Sequence, residues 1–220
     1  MKAMILAAGR GERMRPLTDT TPKPLLAVGG KPLIQYQIEN LAAIGIRDLV
    51  INLAWQGAKL REALGDGGRF GVRIEYSDEG DEALETGGGV CKALPLFGSE
   101  PFIVVSGDVW TDFPFASLKL AAGDLAHFVL VPNPQFHLQG DFGLAHGRIT
   151  ETAPKYTYAN IGVFSSEFFA GCKVEKFPLR RPMTQWIAAG KVSGELYEGE
   201  WHNVGTPAQL EALDRELRAR

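Results

Sequence analysis

Near its start the chain sets a glycine-spaced turn, three arginines and a lysine held between prolines, a set that could gather a row of phosphates. The turn reads Leu6-Ala7-Ala8-Gly9-Arg10-Gly11-Glu12-Arg13-Met14. Gly9 and Gly11 let main-chain N–H groups turn toward an anion at close range. Arg10, Arg13 and Arg15 carry planar guanidinium groups that bind phosphate oxygens in pairs. Small Ala7 and Ala8 leave room for a flat base and its ribose, and Glu12 belongs to the same nucleotide-facing turn. Pro22 and Pro24 restrict the backbone on either side of Lys23, so its amine is offered from a stiff segment. A tight strand-to-helix turn and a solvated lysine would use the same residues, and this pattern alone leaves them open. Two phosphate loops are excluded: Met14 stands where a dinucleotide fingerprint needs its third glycine, and no Gly-Lys-Ser/Thr follows for a P-loop.

Further along, Asp108 follows the apolar run Phe102-Ile103-Val104-Val105. In open parallel sheets ligands bind beyond the carboxyl ends of the strands, and a hard cation such as Mg²⁺ favours carboxylate and phosphate oxygens. Asp108 is therefore the leading metal-ligand candidate, with an aspartate capping a turn as the plain alternative. Leu84-Glu85-Thr86-Gly87-Gly88-Gly89 precedes a helical stretch. Thr86, Gly87 and Gly88 could offer backbone to a base edge, and a helix start favours anions; a flexible hinge is equally open. Asp141 and Asn160 are candidate sugar contacts, since losing a directional hydrogen bond to a stranded partner costs about 1–3 kcal/mol. Both could equally be turn residues, and Glu85 is a third candidate. Phe136 and Trp201 could stack on a sugar, although core packing is the commoner role of aromatics. His127, His137, His146 and His202 show no metal-ligand spacing and are expected to be structural or exposed.

The elements that must position these residues alternate through residue 131. Strands are predicted at residues 3–7, 49–51, 72–76, 102–105 and 126–131. Between them, helices are predicted from Pro32 to Gly45, from Trp55 to Leu64, after Gly89 to Leu94, and over 115–122. This alternation predicts an α/β fold with a doubly wound, mainly parallel sheet. Residues 141–164 read as antiparallel strands with turns at Gly147 and near Pro154. Helical pieces follow at 166–170 and 179–189, then a strand at 192–197 and a last helix opened by Thr206-Pro207. With no repeat, linker or low-complexity tract, residues 1–220 are expected to be one domain, with a nucleotide-binding half at 1–131 and a sugar-binding half at 132–220.

Composition narrows the function. A formal net charge of −3 gives no general attraction for nucleic acid or anionic membrane. Cys91 and Cys172 are too few for a disulfide framework or a metal cluster, which fits reduced thiols in the cytoplasm. No apolar stretch approaches the ~18 residues of a membrane span, and the early apolar run meets Arg10, Glu12 and Arg13 too soon for a signal peptide. Small-molecule partners are expected; nothing in the pattern fixes an oligomeric state.

The segment Leu6-Ala7-Ala8-Gly9-x-Gly11-x-Arg13-Met14-x-Pro16-Leu17-Thr18, with Pro22-Lys23-Pro24, resembles the signature of the sugar nucleotidyltransferases, also called nucleotide-sugar pyrophosphorylases. The later motifs keep the family's order, so the resemblance covers nearly the whole chain. It implies a Rossmann-like, GT-A-like fold with a mixed sheet and a more irregular sugar-binding half. It implies an NTP and a sugar 1-phosphate as substrates, pyrophosphate as product and Mg²⁺ as cofactor. Arg13 and Lys23 are then the catalytic contacts to the triphosphate, and Asp108 the metal ligand. The segments Glu85-Thr86-Gly87-Gly88-Gly89, Gly107-Asp108-Val109-Trp110 and Gly140-Asp141-Phe142 are similar to the branch of the family that uses UTP and N-acetylmuramic acid 1-phosphate in cell-wall recycling. Alternatives are a GTP-dependent enzyme for mannose or heptose 1-phosphate, and a nucleotide-binding module without turnover; Met14 argues against a nicotinamide dehydrogenase. The family's second metal aspartate is replaced by Asn203 in Trp201-His202-Asn203-Val204-Gly205-Thr206. Asn203 is either native, with a weaker metal site, or a replacement that holds substrates without turnover, which the otherwise intact signature favours. The expected Glu-Lys pair for the sugar phosphate is not matched clearly by Glu151 and Lys155.

Overall fold

A computed structural model describes residues 1–220. The chain runs β1 (Lys2–Leu6), α1 (Leu17–Thr20), the small hairpin β2 (Ala27–Val28) and β3 (Lys31–Pro32), then α2 (Leu33–Ala43). It continues through β4 (Asp48–Leu53), α3 (Gly57–Leu64), β5 (Arg73–Asp78), α4 (Glu85–Ala93), β6 (Phe102–Ser106) and β7 (Val109–Thr111). The remainder is β8 (Ala126–Val131), β9 (Phe142–Ala145), β10 (Arg148–Thr150), β11 (Lys155–Phe164), α5 (Arg180–Ala188), β12 (Val192–Leu196), β13 (Trp201–Asn203) and α6 (Pro207–Arg218).

Nine strands form one sheet in the order β5-β4-β1-β6-β11-β8-β12-β10-β9. The first four are mutually parallel, β11 runs antiparallel to both β6 and β8, and β12 is parallel to β8. This is the Rossmann-like α/β architecture with a mixed sheet. The sheet crosses residue 131 without a break, because β11, from the later part of the chain, lies between β6 and β8.

Strand alternation explains the layering. Successive side chains of a strand point to opposite faces. Ala3 and Ile5 of β1, with Ile103 and Val105 of β6, join Ile34, Ile38 and Leu41 of α2 and Leu60 and Leu64 of α3 on one face. Met4, Phe102 and Val104 join Val90 and Ala93 of α4 and Met183 and Ile187 of α5 on the other. Each such side chain fully buried stabilises the fold by about 1.5–3 kcal/mol. A third cluster packs Leu210 and Leu213 of α6 against Met14, Leu26, Val28, Leu33, Trp110 and Val204. The amide of Gln209 donates to the Thr206 hydroxyl and Pro207 takes the first position, so α6 starts where its capping residues predict.

Two sequence expectations fail here. The helix expected over 115–122 is a single turn, Phe115–Ser117. Phe113, Phe115 and Leu118 are all buried, and their spacing of two and three residues does not fall on one helical stripe. Gly87, Gly88 and Gly89 lie inside α4 rather than before it. Elsewhere the carboxyl ends of β1, β4, β5 and β6 open onto one edge of the sheet, which brings Ala7, Asn52, Glu79 and Asp108 to a common cavity.

Candidate active site

The cavity at that edge holds about 620 Å³, and Ala7, Ala8, Gly9, Gly11, Glu12 and Arg13 form one wall of it. Gly11 adopts φ +65, and a side chain there would meet Thr18 Cγ2 at 3.0 Å and Lys23 Cβ at 3.2 Å. Glycine is therefore required by both backbone and space, and the turn closes with the Thr18 hydroxyl donating to the Gly11 carbonyl at 2.8 Å. Lys23 is buried between its prolines, and its ammonium pairs with the Asp108 carboxylate. The Ser106 hydroxyl donates to the other Asp108 oxygen at 2.6 Å. Of the two flanking arginines, Arg10 lines the cavity and stacks over Trp55 at 4.4 Å, whereas Arg15 pairs with exposed Asp19.

Asn52, Glu79, Ala83, Glu85 and Thr86 also line the cavity. The Ala7 amide donates to Asn52 Oδ1 at 2.7 Å. Asn52 Nδ2 donates to Glu79 Oε1 at 2.7 Å, and the Leu84 amide to Glu79 Oε2 at 2.6 Å. Burial pushes the Glu79 carboxyl above the usual carboxylate range, and these two hydrogen bonds offset part of that. Neither Asn52 nor Glu79 was expected. The rule that selected Asp108, a polar residue just past a buried strand, applies equally to Asn52 and Glu79.

A second cavity of about 440 Å³ adjoins the first, and Arg13, Thr86 and Asn160 line both. Asn160 gets there through a register shift in β11 between Tyr158 and Gly162, where it takes φ +56. Bulges re-aim side chains in this way, and asparagine tolerates the left-handed region better than most residues. The carbonyl of neighbouring Ala159 accepts the Trp201 indole N–H at 2.9 Å. Asp141 also lines the second cavity; its carboxylate accepts the Tyr158 amide at 2.8 Å and lies 3.1 Å from His137 Nε2. Arg180 completes the rim, stacked 4.3 Å over Phe142 and hydrogen-bonded to Glu151 at 2.5 Å. Phe136 lines this cavity at 57% exposure, so core packing is not its role, and His137 belongs to the cavity as well.

The expectation that Gly87 and Gly88 face a base is the one this geometry overturns. Gly87 and Gly88 do not line either cavity, and both their amides already donate to the Phe177 carbonyl, at 3.0 and 3.2 Å. A Cβ on Gly87 would lie 2.4 Å from the Phe177 ring, and one on Gly88 2.0 Å from the Glu175 carbonyl, so close packing explains both glycines. Glu85, expected at the sugar, lines the first cavity alone. Asn203 opens onto the second cavity, not the one that holds Asp108, although the adjacent Val204 amide donates to the Asp108 carbonyl at 3.0 Å. Lys155 lies 3.7 Å from Glu151 and lines neither cavity.

Fold and site together define a phosphate-handling α/β protein with paired clefts at the carboxyl edge of a doubly wound sheet. The chain belongs to the nucleotidyl transferase family, whose sequence profile matches residues 2–152. It is 45% identical over 222 residues to the N-acetylmuramate alpha-1-phosphate uridylyltransferase of Neisseria meningitidis, covering 96% of this chain and 95% of that one. It is 33% identical over 237 residues to the protein of the same name from Caulobacter vibrioides, covering 98% and 96%. A crystal structure from Bacillus anthracis, described as a glucose-1-phosphate thymidylyltransferase, shares the fold with a TM-score of 0.86 at 23% identity, over 100% of this chain and 96% of that one. The protein is thus an enzyme of the nucleotidyltransferase class.

Proposed function

We propose that this chain transfers a uridylyl group from UTP to N-acetylmuramic acid α-1-phosphate, forming the nucleotide sugar and releasing pyrophosphate. The observation that carries the reading is Arg13, which lines both cavities and so can touch both phosphate-bearing substrates. The names of the Neisseria and Caulobacter relatives support the choice of base and sugar. An oxygen of the sugar phosphate attacks the α-phosphorus, a P–O bond forms, and the bond to the β-phosphate breaks as pyrophosphate leaves. The attacking phosphate is already anionic, so no general base is needed. Arg13 and Lys23 hold two mutually repelling anions together and stabilise the charge that develops between them. Ala7, Ala8, Gly9, Gly11, Glu12 and Thr86 surround the nucleotide; Asp141 and Asn160 orient the sugar.

Mg²⁺ fits the donors present. The Asp108 carboxylate lines the nucleotide cavity, and the Lys23 ammonium already rests on it as a cation would. Asp108 would hold the ion, with the Asn203 amide oxygen as a neutral second candidate, and the ion would neutralise phosphate charge. No helix is long and apolar enough to cross a membrane, and both cysteines are unpaired. With nucleoside triphosphate as substrate, this supports a cytoplasmic role for residues 1–220 acting as one unit, and a place in cell-wall recycling.

The test is a pyrophosphate-release screen of four NTPs against a panel of sugar 1-phosphates, run on this chain and on Asn203→Asp. UTP with N-acetylmuramic acid 1-phosphate is expected to react fastest. Preference for GTP with mannose or heptose 1-phosphate would overturn the assignment. UTP binding without pyrophosphate release, unchanged by Asn203→Asp, would mean a nucleotide-binding module instead.

A further inference from the structure

We infer that Glu79 is a positioning residue that acts through Asn52 to set the nucleoside end of the nucleotide cavity. The inference rests on the proposed binding of an NTP there.

The two side chains come from adjacent parallel strands. β4 and β5 pair Asn52 with Ser77 and Leu53 with Asp78, and the Glu79 amide extends the ladder to the Leu53 carbonyl at 2.8 Å. Asn52 is 3% exposed and Glu79 8%, so neither relies on water for its partners. The polarity of their network is dictated from outside. At one end the Ala7 amide is a donor, so Asn52 must present its oxygen there. That turns the Asn52 NH₂ toward Glu79, which must accept. At the other end the Leu84 amide is again a donor, so the second Glu79 oxygen must also accept. Only a carboxylate accepts on both sides, which is the physical reason for a glutamate in this buried place.

The link joins two segments at the cavity. Ala7 belongs to the phosphate turn after β1, and Leu84 leads directly into Glu85 and Thr86 at the start of α4. Space for the link is kept by the third glycine of the triplet. A Cβ on Gly89 would lie 2.5 Å from Glu79 Oε1 and 3.0 Å from Asn52 Nδ2. The cavity's cations, Arg10, Arg13 and Lys23, come from one segment, with Glu12 among them and Asp108 paired to Lys23, whereas the partners of Glu79 are the Asn52 and Leu84 amides. Cations attract a triphosphate, so the phosphates lie toward Arg10, Arg13 and Lys23, and the base and ribose toward the Asn52–Glu79 link, whose hydrogen bonds involve no cation. That link ties the turn carrying Ala7 to the start of α4 and so sets their relative position.

The network predicts its own repair. In Glu79→Gln one donor must face another donor, so one buried amide is stranded. In the double variant, Asn52→Asp with Glu79→Gln, every bond can form again. The introduced aspartate accepts from the Ala7 amide and from the new glutamine NH₂, and the glutamine oxygen accepts from Leu84. Steady-state kinetics with both substrates varied, thermal melting, and calorimetric titration of UTP make the test. Glu79→Gln is expected to raise KM for UTP by about tenfold or more, the scale of one stranded buried partner, with KM for the sugar phosphate within about twofold and kcat within about threefold. The double variant is expected to bring KM for UTP back to within about threefold of the unaltered protein. An unchanged KM for UTP in Glu79→Gln would overturn the inference. So would an equal rise for both substrates, or a double variant no better than the single one. Should the unaltered chain release no pyrophosphate with any NTP, the proposed reaction fails, and calorimetry on the same three proteins still decides whether Glu79 sets nucleotide affinity.

Discussion

Arg13 stands where two cavities meet, its guanidinium against Gly205, where even a methyl group would lie 3.3 Å from one of its nitrogens. In the proposed reaction a side chain there would act on attacking and leaving groups at once, so its loss would fall on the chemical step. Arg13→Ala is expected to lower kcat/KM by about 10²–10³, the effect of one well-placed transition-state donor; a fall of less than about fivefold in initial-rate assays would remove Arg13 from the chemistry. Asn203 raises a different question at the same scale. Its amide offers an oxygen without charge, and ligand charge is one determinant of divalent-ion affinity. Asn203→Asp is expected to lower the Mg²⁺ concentration that gives half-maximal rate by about tenfold. A Mg²⁺ titration that superimposes on that of the unaltered chain would exclude the residue from the ion's ligand set. Such residues were legible early because short motifs carried them: the glycine turn, Arg13, Lys23 and Asp108 all reach one cavity. Asn52 and Glu79 follow strands as Asp108 does, but their link to each other shows only in the fold, and Arg180 sits in otherwise ordinary sequence.

At the scale of elements, the glycine triplet in α4 shows how packing can imitate a ligand motif. Each of the three glycines faces a close neighbour: the Phe177 ring, the Glu175 carbonyl and the Glu79 carboxylate. Gly88 has the hardest neighbour, a carbonyl oxygen 2.0 Å from its would-be Cβ. Gly88→Ala must push α4 off the 175–177 segment, an overpacking cost of about 1–3 kcal/mol. Calorimetry should show Tm falling by about 2–4 °C for each kcal/mol lost in a chain of this size; an unchanged Tm would mean the segment yields freely. The bulge in β11 makes the converse case, an element bent to serve a site. Asn160→Gly keeps a residue at ease at φ +56 but removes the amide from both cavities. It is expected to raise KM for the sugar phosphate about threefold to tenfold with little change in Tm, and a shift in Tm alone would make the residue merely structural.

Across the whole molecule, one sheet carries both cavities. β11 is inserted between β6 and β8, so the strand carrying Asn160 lies beside the strand that leads to Asp108. The second cavity has a cation of its own in Arg180, besides Arg13, which it shares with the first. A muramic acid differs from the parent hexosamine by a lactyl ether that carries a carboxylate, and a guanidinium held by Phe142 and Glu151 can attract that carboxylate. Arg180→Gln is expected to reduce the kcat/KM preference for N-acetylmuramic acid 1-phosphate over N-acetylglucosamine 1-phosphate by about threefold to tenfold, a partly exposed pair being screened by solvent. An unaltered ratio in paired assays would exclude Arg180 from sugar selection.

By itself the sequence determined the strands of the nine-stranded sheet and most helices, though not the short pairs β2–β3 and β7–β13, because hydrophobic period, proline starts and glycine stops act over a few neighbouring residues. It determined the phosphate turn for the same reason: Gly9 to Lys23 is a local object whose chemistry is written in consecutive residues. Tertiary structure alone decided that β11 separates β6 from β8, that Asn160 is turned inward by a bulge, and that the α4 glycines meet protein rather than nucleotide. Those outcomes depend on pairings across tens of residues and on gaps of a few tenths of an ångström, and no local pattern encodes either.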